Sequence, residues 1–345
     1  MELIRGQHNL RPHHRGCVAT IGNFDGVHLG HRLIFAQLAE QAARLRRPRL
    51  AITFEPQPQE FFAGRSVPPA RLMRLREKLL ALDGLGIERA LCLKFSRLLA
   101  AMPAHAFIED LLVERLGIRY LVVGDDFRFG HRRVGDFEML VEAGQRYGFE
   151  VANTHSHILD GERVSSTRVR EALGQGNLEL AARLLGRSYD MCGRVAYGDQ
   201  VGRTLGFPTA NIHLLRRVTP VYGVYAVLAS GPGLQLWPGV ANIGHRPTVR
   251  GTRAQLEVHL LDFQGDLYGQ QVKVDFLHYL RPEQRFESLD ALRRQIQRDE
   301  HAARIYFAAR GIRIPPHPIP LPRGEESPLL PPLLPEGEGR SRTGF

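Results

Sequence analysis

An α/β fold with a parallel sheet in the first half, then a small antiparallel β unit closed by a helix, is what this 345-residue sequence predicts. Three observations carry the prediction. Apolar runs alternate with segments of helical spacing from Gly16 to about Leu185. After Gly186 the texture changes to short segments rich in Val, Tyr, Leu and Thr, punctuated by Gly and Pro as far as about Leu280. A last amphipathic stretch places Leu289, Leu292, Ile296, Ile305 and Phe307 at helical spacing.

In chain order, strands are expected over 17–21, 50–54, 90–95, 120–123 and 149–153, with helical spacing over 33–45, 72–82, 104–116 and 137–147. Strands joined by helical crossovers run parallel, and such sheets gather ligands beyond the carboxyl ends of their strands. The second texture, with no convincing helix inside it, reads as an antiparallel barrel or sandwich with the final helix packed against it. This divides the chain into residues 1–185, 186–312 and a remainder, 313–345. That remainder is Pro-rich, keeps no hydrophobic period and is expected to be disordered.

Composition narrows the functional classes. With 43% hydrophobic and 24% charged residues the chain has enough apolar material for two proper cores. Its three cysteines, Cys17, Cys92 and Cys192, are distant from one another and lie in apolar stretches, so no disulfide framework is expected and a reducing cytoplasm fits. Neither a signal peptide nor an apolar run of membrane-spanning length is found, so no membrane partner is expected. A net charge of +10 raises nucleic acid as a partner. The cations are nearly all Arg and are scattered through both halves, not gathered into a stripe with exposed aromatics, so a nucleic-acid partner is not expected.

The most informative segment is Gly22-Asn23-Phe24-Asp25-Gly26-Val27-His28-Leu29-Gly30-His31. It lies where the first strand ends and helical spacing begins. Gly22, Gly26 and Gly30 let the backbone bend and approach a ligand, and the first N–H groups of a helix attract anions. His28 and His31 stand on that anion site, so the physical reading is a nucleotide-phosphate site whose paired imidazoles steady charge during transfer at phosphorus. Two bland readings are a pair of helix-start histidines and part of a zinc site, for which no compact set of further ligands lies nearby in sequence. The turn is not Gly-x-Gly-x-x-Gly, which argues against a dinucleotide dehydrogenase.

The His-x-Gly-His element resembles the nucleotidyltransferase signature, and the full ten residues resemble the bacterial bifunctional riboflavin kinase/FAD synthetases. The resemblance implies a Rossmann-like nucleotidyltransferase domain followed by a small antiparallel β-barrel. It also implies that Gly22, Asn23, Phe24, Asp25, Gly26 and Gly30 bind ATP phosphates, with His28 and His31 catalytic. Three further segments match in order. Thr53-Phe54-Glu55-Pro56-Gln57-Pro58 resembles the family's Phe-Glu-Pro-x-Pro turn, with Gln57 where many members have His. In Gly124-Asp125-Asp126-Phe127-Arg128-Phe129-Gly130 the resemblance places Gly124, Asp126, Phe127 and Phe129 against the flavin. Phe127 and Phe129 offer an aromatic surface, though a glycine turn with two core phenylalanines has the same pattern. In Ser165-Ser166-Thr167-Arg168-Val169-Arg170 the hydroxyls are good helix N-caps, and the resemblance adds Ser165, Ser166, Thr167 and Arg170 to the ATP site.

The second half carries Gly202-Arg203-Thr204-Leu205-Gly206-Phe207-Pro208-Thr209-Ala210-Asn211 and Gly239-Val240-Ala241-Asn242-Ile243-Gly244-His245-Arg246-Pro247-Thr248, both resembling riboflavin kinase signatures. A hydroxyl and an amide oxygen suit one hard cation, and a Gly-rich loop wraps phosphates with its N–H groups. By resemblance, Gly202 and Gly206 lie on ATP, Thr209 and Asn211 bind Mg²⁺, and Asn242 and Arg246 contact flavin. In the alternating segment 256–262, Glu257 and His259 share a face, and family position makes Glu257 the base that draws the proton from the ribityl 5′-hydroxyl. Asp266-Leu267-Tyr268-Gly269 and Arg281-Pro282-Glu283-Gln284-Arg285-Phe286 match as well.

The resemblance spans nearly all of residues 14–308. It implies phosphorylation of riboflavin to FMN by the second domain and adenylylation of FMN to FAD by the first, with ATP as co-substrate and Mg²⁺ as cofactor. Two other readings stay open: a nucleotidyltransferase of another substrate, which leaves the second half unexplained, and a non-catalytic flavin- or RNA-binding module. Intact His28, His31, Thr209, Asn211 and Glu257 count against decay.

Overall fold

The computed structural model describes residues 1–64, 66–198, 202, 205–214, 216, 218–248 and 251–315, excepting the side chains at 245–253. The expected disordered tail beyond Pro315 and the side chain of Arg246 therefore lie outside the described residues.

Six parallel strands form the first sheet: β1 (Glu2–Arg5), β2 (Val18–Ile21), β3 (Arg49–Glu55), β4 (Arg89–Lys94), β5 (Tyr120–Gly124) and β6 (Glu150–Thr154), in the order β1-β4-β3-β2-β5-β6. Five lie within a residue or two of the expected ranges. The edge strand β1 was not expected: it has four residues, too few for a period to register, and it is stabilised by pairing with β4.

Helices cover both faces. On one side α1 (Leu29–Leu45) and, after the short α2 (Pro58–Ala63), α3 (Leu75–Gly84) pack with Val18, Ala51, Tyr120 and Val122. On the other, after α4 (Arg97–Ala100), α5 (Ala104–Ala106) continues as a π-helix, Phe107–Arg115. It and α6 (Phe137–Tyr147) cover Ala19, Ile21, Ile52, Leu91 and Leu121. Successive strand residues thus serve opposite cores, which is why the strands are nearly continuous apolar runs.

A two-stranded hairpin, β7 (Ile158–Leu159) with β8 (Glu162–Arg163), leads into α7 (Ser166–Gly174) and α8 (Leu178–Leu185). The second half closes as an antiparallel six-stranded barrel, resolving the choice between barrel and sandwich. Its strands are β9 (Tyr189–Ala196), β10 (Ala210–His213), β11 (Gly223–Gly231), β12 (Leu234–Thr248), β13 (Gly251–Leu260) and β14 (Gln271–Arg281), in the order β10-β13-β12-β11-β14-β9. The terminal helix α9 (Leu289–Ala309) lays Ala303 and Phe307 on Ala226 and Leu261.

The two halves share buried material. Val169, Leu173, Ala181 and Leu184 of α7 and α8, together with Leu72, belong to the same core as Met191, Val227, Trp237 and Leu256 of the barrel. Across the same seam Glu77 of α3, 5% exposed, meets Arg216, 6% exposed, at 2.5 Å. Arg216 also donates to the carbonyls of Arg71 and Leu72 and to the Tyr189 hydroxyl, while Glu77 accepts from the backbone N–H groups of Arg74 and Cys192. A buried pair of this kind adds modest net stability, but removing one member strands the other's charge. Arg216→Met is therefore expected to lower the unfolding free energy by about 3–5 kcal/mol in urea titration. A loss below about 1 kcal/mol, the size expected of a solvated surface pair, contradicts this account of the seam.

Candidate active sites

The order of the first sheet reverses at β2: the chain moves outward through β3 and β4, then crosses back to place β5 on β2's other side. The crevice beyond the carboxyl ends of β2 and β5 is where such a sheet binds its ligand. The turn 22–31 leaves β2 there, and the turn 124–130 leaves β5.

The first turn is tightly held. Phe24 and Val27 adopt φ of 47° and 43°, a region costly for bulky and β-branched side chains, and Gly26 sits at 84°. A side chain at Gly22 would lie 2.8 Å from the Phe24 ring, and one at Gly26 would lie 2.7 Å from Leu72. Asp25, 2% exposed, accepts from the N–H groups of Leu72 and Met73 at 3.1 and 3.0 Å and from Arg170 at 2.6 Å. Its own carbonyl accepts from Ser166 Oγ at 2.8 Å.

His28 caps α1, its Nδ1 accepting from the His31 N–H at 3.4 Å, so its proton is on Nε2. The two imidazoles stack with centroids 3.6 Å apart, and His31 meets the edge of Phe24. Burial pushes the His28 pKa down to about 4; Asp25 opposes this, while Arg163, Arg170 and Arg187 add to it. His31 is likewise held well below its ordinary value by burial, then by His28, Lys78 and Arg163. At neutral pH both rings are uncharged hydrogen-bond donors at the mouth of a helix.

A cleft of about 970 Å³ opens over this turn and is lined by Gly22, Asn23, Phe24, Asp25, His28, Gly30, His31, Gly124, Asp126, Phe127, Phe129, Ser165 and Ser166. Phe127 and Phe129 stack at 5.5 Å, Phe129 buried and Phe127 half-buried. Asp126 is exposed and pairs with Arg163 at 2.9 Å; Asp125 lies 3.2 Å from the same guanidinium. Ser165 caps α7 through the Arg168 N–H, while Thr167 is exposed on the first turn of that helix.

The structure does not bring Arg170, Gly26 or Thr167 into the described lining of the cleft. Arg170 instead turns inward to Asp25 and the Ala70 carbonyl. Sequence reasoning missed Arg163, two residues before Ser165, and the aromatic wall of Phe54, Phe62 and Phe95. The missed Lys78 is 1% exposed beneath this region, its ammonium donating to Thr53 Oγ1 at 3.3 Å. Its position on α3 had no signal beyond being one of three lysines.

In the barrel, the register aligns Asn211 of β10 and Asn242 of β12 on either side of Glu257 of β13. Ala254, Leu256, Val258 and Leu260 are buried in the interior, so Gln255, Glu257 and His259 share the outer face. Gln255 was missed by sequence reading; its Nε2 donates to Asn211 Oδ1 at 2.6 Å and to Glu257 Oε1 at 3.0 Å.

The Gly-rich turn folds beside this row: Phe207 N–H bonds the Gly202 carbonyl at 2.7 Å, and Gly206 takes φ of 90°. A Cβ at Gly202 would lie 2.4 Å from the Phe207 carbonyl and 3.3 Å from Thr209 Oγ1. Thr209 lines a cavity of about 460 Å³ with Pro208, Phe263, Asp266 and Tyr268. Glu283 lies directly over Gly244, where any side chain would collide with it, which brings the segment 281–286 onto β12.

The chain matches the FAD synthetase family over residues 10–168 and the riboflavin kinase family over residues 185–307. It is 54% identical over 308 residues to the bifunctional riboflavin kinase/FMN adenylyltransferase of Escherichia coli K12, covering 89% of this chain and 98% of that protein. The protein of the same name from Pseudomonas fluorescens is 53% identical over 309 residues, with the same coverage. A crystal structure of a Streptococcus pneumoniae protein described as a macrolide-efflux protein superposes with a TM-score of 0.75 at 30% identity, covering 88% of this chain and 99% of that one. Among the described residues no helix is long and apolar enough to cross a membrane.

The depressed histidines have a consequence for stability. In the unfolded chain they protonate near 6.5, whereas in the fold His28 resists protonation until about 4. Their contribution is fully present above pH 6.5 and is lost as pH falls toward 4, on the order of 3 kcal/mol for His28. Urea unfolding of the unliganded protein from pH 7.5 to 4 is expected to show this fall, and His28→Asn to flatten part of it; equal slopes in both proteins contradict the assignment.

Proposed function

This chain belongs to the bifunctional riboflavin kinase/FMN adenylyltransferase family, and from that membership we propose how its two halves divide the work and which residues perform each step. The enzyme phosphorylates riboflavin to FMN with ATP and transfers AMP from ATP to FMN, giving FAD and pyrophosphate. We assign the transfer to residues 1–185 and the phosphorylation to residues 186–312.

The stacked, uncharged imidazoles on the strained turn carry the first assignment. In adenylyl transfer an FMN phosphate oxygen attacks the α-phosphorus, a P–O bond forms, and the bond to pyrophosphate breaks. The nucleophile is already ionised, so no base is required. What the site must supply is donors aimed at the phosphate oxygens and groups that hold them still. His28 and His31 act as those donors, beside the backbone of Gly22, Asn23 and Gly30, the N-terminus of α1, and Ser165 and Ser166. Thr167, exposed on the first turn of α7 and outside the described lining of the cleft, takes no part in this donor set. Arg163 lends positive charge from the rim. Gly124 and Asp126 place the flavin, whose ring lies on Phe127 and Phe129. Asp25, Phe24, Gly26 and Arg170 serve by fixing the turn.

For phosphorylation, Glu257 accepts the proton of the ribityl 5′-hydroxyl as that oxygen attacks the γ-phosphorus and ADP departs. Asn211 and Gln255 orient the carboxylate, the turn between Gly202 and Gly206 receives the polyphosphate, and Asn242 and Arg246 lie at the flavin end. Thr209 and Asn211 fit Mg²⁺: both offer uncharged hard oxygens, and among the described residues the Asn211 amide oxygen accepts from Gln255 alone, which leaves it a second lone pair. When bound, the ion neutralises phosphate charge. We place the enzyme in the cytoplasm, where its three free thiols stay reduced.

Chromatography of the flavins formed tests both assignments. His28→Ala or His31→Ala is expected to remove most FAD formation from supplied FMN and to leave FMN formation from riboflavin largely intact; parallel loss of both in a folded variant overturns the first. Glu257→Gln keeps shape but loses the base, and is expected to slow riboflavin phosphorylation by roughly 10²- to 10⁴-fold while sparing conversion of FMN to FAD. Near-normal FMN production by that variant shows the base to be misplaced.

A further inference from the structure

We propose that Arg187, the first cation of the segment leading into the barrel, is a positioning residue for adenylyl transfer: it holds from behind the turn that carries His28. Its guanidinium donates to the Gly26 carbonyl at 2.9 Å and to the Val27 carbonyl at 3.4 Å, and Asp190 of β9, at 3.5 Å, orients it. Both carbonyls belong to residues in the left-handed region, Gly26 at φ 84° and Val27 at 43°. For a β-branched residue that conformation is strained and persists only where the surroundings over-determine it.

The surroundings here are two clamps. On one side the Asp25 carboxylate binds Leu72, Met73 and Arg170. On the other, Arg187 is the side chain that reaches the carbonyls of the next two residues, and Val27 is followed directly by His28. Without Arg187, one clamp is left on a turn whose relaxed backbone is elsewhere, and the imidazoles lose their aim. Arg187 is not among the described residues lining the cleft, so its effect passes through the turn. The groups around His28 are Asp25, Arg163, Arg170, Arg187 and the stacked His31. Arg187 is one of the cations that disfavour protonating it.

The inference rests on the proposed role of His28 and His31, and the experiment separates the two. Full-length Arg187→Ala, Arg187→Lys and His28→Ala are compared for FAD formation from FMN, FMN formation from riboflavin, and the NMR titration of the His28 imidazole. R187A is expected to lower kcat for FAD formation on the order of 10- to 100-fold, since displacing reacting groups by about an ångström costs that much. KM for FMN and riboflavin phosphorylation should stay near normal, and the latter reports an intact fold. The His28 midpoint should rise above about 4 in R187A while staying below its ordinary value, because burial, the larger cause, remains. R187K should restore most of the rate and the low midpoint. Should R187A not fold, Arg187→Gln, which keeps an N–H donor without the charge, takes its place in the same comparison. Normal FAD formation in R187A while H28A is inactive overturns the positioning role alone, as does equal loss of both activities in R187A. Normal FAD formation in H28A overturns the reading beneath it.

Discussion

A carboxylate buried to 2% exposure organises this molecule. Asp25 sits in the turn after β2 and must find partners where water cannot supply them, or the chain loses several kcal/mol. It takes two backbone N–H groups from the segment just before α3 and one guanidinium from α7. Three segments distant in sequence are thereby fixed around one anion. The Leu72 segment that feeds Asp25 on one side offers its carbonyls on the other to Arg216 and Tyr189 of the second half. The turn after β2, the sheet's helical cover and the barrel are tied through a stretch of three residues.

That arrangement sets the electrostatics of the cleft over the turn. Lys78, Arg163, Arg170 and Arg187 surround the imidazole pair closely enough to disfavour its protonation, and burial disfavours it further. The site is therefore cationic at its periphery and neutral at its centre. On the proposed function, a polyphosphate entering it would meet the surrounding cations and the ring donors, with no full charge at the centre. Asp25, paired with Arg170, limits the excess of positive charge around the imidazoles.

The fold's periodic features were readable from spacing alone: five sheet strands, the four long helical segments of the first half, the barrel's texture and the closing helix. The ten-residue turn between β2 and α1 was readable as a strand-to-helix turn because glycine placement and helix onset are local facts. What spacing does not encode is side-chain direction. Asp25 and Arg170 both belong to matched motifs, yet they face each other inside the turn, 145 residues apart in sequence. Gln255 was passed over because only the register of β10 against β13 sets it between Asn211 and Glu257. The edge strand Glu2–Arg5 was missed because a four-residue strand has no period to detect.

The boundary near residue 185 has a different physical character from a linker. Independent domains are joined by exposed, polar segments across which few contacts run. Here α7 begins at the cleft with Ser165 and Ser166 and buries Val169 and Leu173 in the barrel's own core. Just beyond the boundary Arg187 returns to the turn, and Arg216 crosses to Glu77. Cutting at this point would divide one apolar core and leave Glu77 without its guanidinium, so the two halves hold their separate chemistries on a shared foundation. A domain boundary drawn from motif order marks where one set of reacting groups ends. The buried core is the larger object, and the hydrogen bonds of Arg187 and Arg216 cross the seam within it.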